Sequence, residues 1–284
     1  LFPYTTLFRS VLDVDHGQSS VIGDRAFHRS SSAIAELAHS LMIGLKLNGM
    51  SAVGKHFPGH GDTETDSHYG LPVIKADRKR LDSLELYPFK KLIDEDVMSV
   101  MVAHLNIPAL DTSNTPASLS KAIITDLLRK EMGFDGIIIT DALNMKGVAD
   151  LYPPGEVAAR ALLAGNDILL FVENVPASMA KIKEHLLDSS LTMAQIESSC
   201  KRVLLAKYWA GLNKYEPIEL TNLTQDLNSG GAPEMIAKAV KNSITVAKNL
   251  DDIIPVKNPE LYKIATIGVE IGRASCRERV SSPV

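Results

Sequence analysis

Short apolar, β-rich runs alternate with longer amphipathic stretches between residues 11 and 209, and no other feature limits the possible folds so strongly. The runs are Val11–Val14, Ser51–Phe57, Ser99–His104, Gly136–Asp141 and Asp167–Val172. Helical periodicity fills the intervals at about Ala33–Asn48, Arg78–Asp94, Lys121–Met132 and Gly155–Ala164, and a further helix is expected at Thr192–Trp209. Such alternation predicts repeated βα units around a parallel sheet, an α/β fold. GIIIT and SVMVAH are nearly continuous apolar runs, as strands covered on both faces are. Polar residues gather just past the strand ends, at Lys55, His56, His104 and Asp141. That is the edge of a parallel sheet where α/β folds build their sites.

After Trp209 the character changes. Residues 11–213 are read as one domain, the polar Gly- and Pro-containing stretch 214–232 as a linker, and 233–270 as the start of a second α/β domain, with a helix at about Pro233–Lys248 followed by KIATIGVE.

Chemistry concentrates in GKHFPGHGDTETDSHY, Gly54–Tyr69, which places three histidines and three acidic residues within one short segment. The glycines and proline of FPGHG allow a sharp turn after the strand, and DTETDSH then forms a loop able to fold over a pocket. Asp66 and His68 lie two apart, a spacing that lets the carboxylate orient the imidazole. A histidine held in this way is suited to giving up a proton and taking one back near neutrality. Asp141, at the end of an apolar strand, reads equally as a nucleophile or as an N-cap for the segment that follows. His104 reads as a sugar contact or as a hydrogen-bonded rim residue, and Arg25 as a hydroxyl ligand or the partner of an acid such as Asp24. Asp15 reads as structural, Met145 and Phe57 as packing, and Cys200 as an inert core thiol.

KHFPGHG followed by DSH resembles the signature of the β-N-acetylglucosaminidase branch of glycoside hydrolase family 3. IGDRAFH, MVAHL and GFDGIIITDALNMKGV follow in that family's order, and the resemblance covers nearly all of residues 11–210. It implies a (β/α)8 TIM-type barrel, of which five visible runs would leave about three strands to be supplied upstream. It also implies retaining cleavage of terminal β-N-acetylglucosaminides, with Asp141 as covalent nucleophile, the Asp66–His68 pair as acid/base, and Arg25, Lys55 and His56 on sugar hydroxyls. No cofactor or metal is implied. The glucosidase branch takes its acid/base from a glutamate of the second domain, so FPGHG and DSH favour the hexosaminidase branch. Here Ala142 follows Asp141 where some members carry a second acidic residue, which leaves Asp141 as the candidate. The family's acidic sugar ligand on an early strand has no counterpart in the chain, which puts the activity of the isolated chain in doubt. The implied substrates are peptidoglycan-derived N-acetylglucosaminyl-anhydromuramoyl fragments or chitooligosaccharides, and phosphorolysis on the same intermediate stays open.

Two other readings use the same residues. A metal-dependent hydrolase would use His56, His60, Asp62, His104 and Asp141 as ligands, although the H-F-P-G-H turn should splay the two rings. A barrel that binds carbohydrate without cleaving it would not need Asp66, His68 and Asp141 together.

The ends call for separate treatment. LFPYTTLFRS back-translates to CTCTTTCCCTACACGACGCTCTTCCGATCT, and IGRASCRER to ATCGGAAGAGCGTCGTGTAGGGAAAGA, whose reverse complement lies inside the first string. Residues 1–10 and 271–284 are therefore expected to be adapter-derived rather than native, to carry no function and to pack on nothing in particular. They hold Arg9, Arg273, Arg277 and Arg279 against Glu278, so the formal charge of −4 becomes −7 for residues 11–270. That mild acidity gives no footprint for nucleic acid. Cys276 falls in the excluded tail, and Cys200 alone makes no disulfide framework. No apolar run approaches the roughly 18 residues of a membrane span. Bacterial cytoplasm and periplasm both stay open, as does oligomeric state. Resequencing the gene from genomic DNA should replace both end segments with unrelated residues; recovering LFPYTTLFRS in the intact gene would contradict the adapter origin.

Overall fold

In the computed structural model the described residues are 10–17, 21–63, 70–153, 155–217, 219–228, 231–244, 254–261, 268–270 and 277–279. Strands β1 (Ser10–Val11), β2 (Val53–Phe57), β3 (Ser99–Val102) and β4 (Ile137–Thr140) form one parallel sheet in sequential order. Helices α1 (Ser31–Leu47), α2 (Arg78–Ser83), α3 (Tyr87–Asp94) and α4 (Ala122–Glu131) occupy the connections, α4 being wound as a π-helix. Then come α5 (Glu156–Ala164), α6 (Val175–Leu187) and α7 (Met193–Trp209). The repeated βα order expected from the alternating pattern is present.

Helices pack on one face of the sheet because alternate strand residues point there. Leu12, Phe57, Val100, Val102 and Ile138 meet Ile34 and Met42 of α1, Phe89 and Leu92 of α3, and Ile123 and Leu127 of α4 in one buried cluster. Phe57 and Phe89 are both fully buried and meet edge to face, centroids 5.2 Å apart. The opposite face carries a smaller cluster of Val53, Met101, Ile137 and Ile139, with Ile168 and Leu170 beside it.

The expected helix over 78–94 is instead two helices. Pro88 enters α3 in its first turn and cannot donate a backbone hydrogen bond back into α2. Glu85, with 1% of its surface exposed, sits in the break. The fifth run, Asp167–Val172, makes a single bridge, Ile139 to Ile168, rather than a ladder. Side chains take over part of the pairing there. The Asp167 carboxylate accepts the Ile138 N–H at 2.9 Å, and Thr140 Oγ1 accepts the Leu170 N–H at 3.0 Å. Asp167 also receives Arg129 and, at 2.8 and 3.0 Å, Arg202. Cys200 lies exposed on α7, which corrects the expectation of a core thiol.

The chain divides into two compact units between Tyr215 and Glu216. The second contains a short helical turn at Leu223–Leu227, α8 (Ala232–Ser243) and an antiparallel pair, β5 (Gly268–Glu270) with β6 (Arg277–Arg279). Ser10, in β1, and β6 lie in the end segments expected to pack on nothing, and each pairs with a neighbouring strand. Among the described residues no helix is long and apolar enough to cross a membrane.

Phe89→Ala should cost about 3–5 kcal/mol, as removal of a fully buried ring does. Chemical denaturation measures this directly, and a loss below about 1 kcal/mol would show that the cluster on the helix side of the sheet is not the principal core.

Candidate active site

The site begins with a break in register. On the β2–β3 ladder Lys55 lies opposite Met101, but Phe57 lies opposite Val102, so His56 is an extra residue. A bulge of this kind reverses the facing of everything after it. Lys55 shares the face of Val53, whereas Phe57 is sent into the helix-side core. The Lys55–His56 and Phe57–Pro58 peptide bonds are cis. The chain then turns back through Gly59, at φ +131°, and Gly61, where an added Cβ would stand 1.8 Å from the Val14 carbonyl oxygen. Only a glycine fits so close to the neighbouring backbone.

Beneath this turn lies Asp13, fully buried. It alternates with Leu12 and Val14, whose side chains enter the core on the helix side. Its carboxylate is 2.7 Å from His56 Nδ1 and accepts the His56 main-chain N–H at 3.3 Å and that of His60 at 2.6 Å. Burial acts to raise the Asp13 pKa, but His56 and His60 outweigh it and hold the carboxyl below its ordinary 3.8. His60 is held on its other side: Nδ1 is 2.7 Å from Thr63 Oγ1, whose hydroxyl donates to the His60 carbonyl at 2.8 Å. Burial lowers the His60 pKa below 6.5. The His56 and His60 rings stand nearly perpendicular, centroids 6.0 Å apart.

Asp141 follows β4 directly, and its N–H continues the parallel pairing by donating to the Val102 carbonyl at 2.8 Å. It alternates in phase with Ile137 and Ile139, on the sheet face that Lys55 shares. The side chain is partly exposed and accepts the Ala142 N–H at 2.8 Å. Burial opposes its charge, yet His56, His104, the Ala142 N–H and Lys55 together hold its pKa below 3.8. Lys55 shows the converse balance. Desolvation lowers its pKa, aided by Arg25 and opposed by Asp141 and Asp13.

His104 is fully buried, its Nδ1 2.7 Å from Ser118 Oγ and its Nε2 2.9 Å from the Ala142 carbonyl. A carbonyl only accepts, so Nε2 carries a proton, and the ring fastens the residue that follows Asp141. Arg25 ends a short 3₁₀ turn, Gly23–Arg25, and is exposed. Asp62 pairs with Arg80 at 2.6 Å, and Arg80 continues to Glu85 at 3.0 Å, tying the end of the FPGHG turn to α2. The structure thus brings Arg25, Lys55, His56, His104 and Asp141 to one edge of the sheet. Glu64, Asp66 and His68 lie outside the described residues. Among the described residues no three His, Cys, Asp or Glu side chains converge as a metal ligand set would.

Sequence reasoning missed Asp13, Thr63 and Ser118. Asp13 had a signal: a carboxylate in the middle of the apolar run VLDV must be either paired or misplaced.

Comparison with known proteins fits this geometry. The model of the glycosyl hydrolase family 3 N terminal domain matches residues 4–206. A β-hexosaminidase of Nitrosospira multiformis is 49% identical over 177 residues, covering 62% of this chain and 50% of that protein. One from Methylobacillus flagellatus is 46% identical over 163 residues, covering 57% and 46%. The chain therefore spans about half the length of these relatives. Among solved structures, a glycoside hydrolase family 3 β-N-acetylglucosaminidase from Paenibacillus sp. matches with a TM-score of 0.71 at 35% identity, covering 75% of this chain and 41% of that one.

Asp13→Asn should cost on the order of 3 kcal/mol near neutral pH, because it withdraws one partner of a buried pair. A depressed carboxyl pKa adds stability above the unfolded value, which is lost as pH falls through the folded value. The gap between the two proteins should accordingly narrow as pH drops below 3.8. Denaturation midpoints across that range check this, and a gap that widens in acid would contradict an ionised Asp13.

Proposed function

The chain belongs to glycosyl hydrolase family 3, and from that premise we propose that it carries the catalytic centre of a retaining β-N-acetylhexosaminidase acting on terminal β-N-acetylglucosaminides. The observation that carries this reading is the setting of Asp141. It stands at the mouth of a parallel sheet, with its pKa held down by His56, His104 and Lys55. An anionic carboxylate at the end of a parallel strand, beside Lys55 and His56, is suited to be the nucleophile that retaining cleavage requires. The names of the related β-hexosaminidases and of the Paenibacillus β-N-acetylglucosaminidase support the substrate class. The N-terminal domain of this family is a TIM-barrel-type fold, and the four-stranded parallel sheet is read as a sector of such a barrel.

In the proposed mechanism Lys55, His56 and Arg25 hold sugar hydroxyls, and Asp141 attacks the anomeric carbon as the glycosidic bond breaks. His68, oriented by Asp66, protonates the departing oxygen. The same histidine then takes a proton from the water that releases the sugar from Asp141. A neutral imidazole and its cation are the two states this cycle needs. Peptidoglycan-derived fragments and chitooligosaccharides both present the required terminal sugar.

Kinetics on aryl and alkyl N-acetyl-β-glucosaminides separate the two roles. Asp141→Asn should reduce turnover of every substrate by on the order of 10⁴-fold or more, because no covalent intermediate forms. His68→Ala should lose about 10²–10⁴-fold on poor leaving groups, yet keep intermediate formation with nitrophenyl leaving groups. Azide, which needs no base, should then release a β-azide product. Uniform loss across leaving groups without azide rescue would move the acid/base role away from His68.

A further inference from the structure

We infer that Asp13 is a positioning residue that sets the protonation pattern of His56 and thereby makes Lys55 and His56 a matched donor and acceptor for one region of the sugar. The inference rests on the functional reading for its ligand, but not for its geometry.

An ionised carboxylate offers acceptors only, so the 2.7 Å contact places a proton on His56 Nδ1. Nε2 is then the lone-pair nitrogen of the neutral ring, and among the described residues no hydrogen-bond partner takes it. The ring is not free to choose otherwise. The His56 main-chain N–H is held by the same carboxylate at 3.3 Å, so side chain and backbone are fixed to one group. The His60 N–H, at 2.6 Å, ties the turn to it as well. Asp13 is fully buried and comes from a different strand segment, so the anchor is rigid and dry. Lys55, next in the chain, can only donate. A sugar hydroxyl both accepts and donates, so a neighbouring ammonium donor and imidazole acceptor suit a hydroxyl or a vicinal pair of hydroxyls. With the opposite tautomer both groups would donate, and the hydroxyl proton would have no acceptor there.

Long-range ¹H–¹⁵N correlation of the histidine rings tests this in the whole chain at about pH 8, above the usual imidazole range, with the His56 signals assigned by their absence in His56→Gln. The unaltered chain should show the Nδ1–H tautomer at His56. In Asp13→Asn the carboxamide oxygen can keep the His60 N–H while its NH₂ faces Nδ1, so the ring should switch to Nε2–H. Affinity for N-acetylglucosamine, followed by titration in the same spectra, should fall about tenfold, the cost of one mismatched hydrogen bond. An Nε2–H tautomer in the unaltered chain overturns the inference, and that measurement stands even where Asp13→Asn does not fold. A folded Asp13→Asn that keeps Nδ1–H, or that switches tautomer without losing affinity, overturns it too. Absence of N-acetylglucosamine binding by the unaltered chain would count against the functional reading, while the ring protons would still decide the role of Asp13.

Discussion

A buried anion governs the mouth of this sheet. Asp13 could not keep its charge in a dry interior without several donors, because desolvating an unpaired carboxylate costs more than any local packing returns. It receives those donors from His56 and His60, on either side of the Phe57–Gly59 turn. The requirement runs both ways. The carboxylate needs the bulge and the turn in order to be satisfied, and the turn is held in place by the carboxylate. Gly61 completes the arrangement by letting the chain run against the Val14 carbonyl, where no side chain has room.

The bulge has a second effect, on composition of the two sheet faces. By absorbing His56 as an extra residue, β2 sends Phe57 to the core and keeps Lys55 on the opposite face, level with the phase of Asp141. A buried ammonium and a strand-end carboxylate then lie within electrostatic reach. Each partly offsets the desolvation of the other, although for Lys55 burial still wins. His104 acts on the adjoining strand by donating to the Ala142 carbonyl, and so holds the residue whose N–H donates to Asp141. The residues expected to meet the sugar are therefore placed by others that face away from it.

Much of this was legible in the sequence, for identifiable reasons. The alternation of apolar runs and amphipathic stretches is a property of burial, and burial decided the four strands and most of the helices. Lys55, His56, His104 and Asp141 could be placed at one edge because strand ends in parallel sheets point the same way. Less visible were features that depend on pairing across the chain. The split between α2 and α3 turns on Pro88, which interrupts the backbone bonding of a helix without interrupting its apolar period. The weak fifth run turned on Asp167 and Thr140 replacing ladder bonds with side chains, which no periodicity reveals. The carboxylate inside VLDV signals a need for partners but not which they are, because they lie more than forty residues away.

The central claim is that Asp141 forms the covalent bond to the sugar. A 5-fluoro N-acetyl-β-glucosaminyl fluoride reacts through the same displacement but slows release, so the intermediate accumulates. Peptide mass spectrometry of the treated protein should find one added glycosyl group, as an ester on Asp141. A label on another carboxylate, or fluoride release with no labelled protein at any time, would contradict the account.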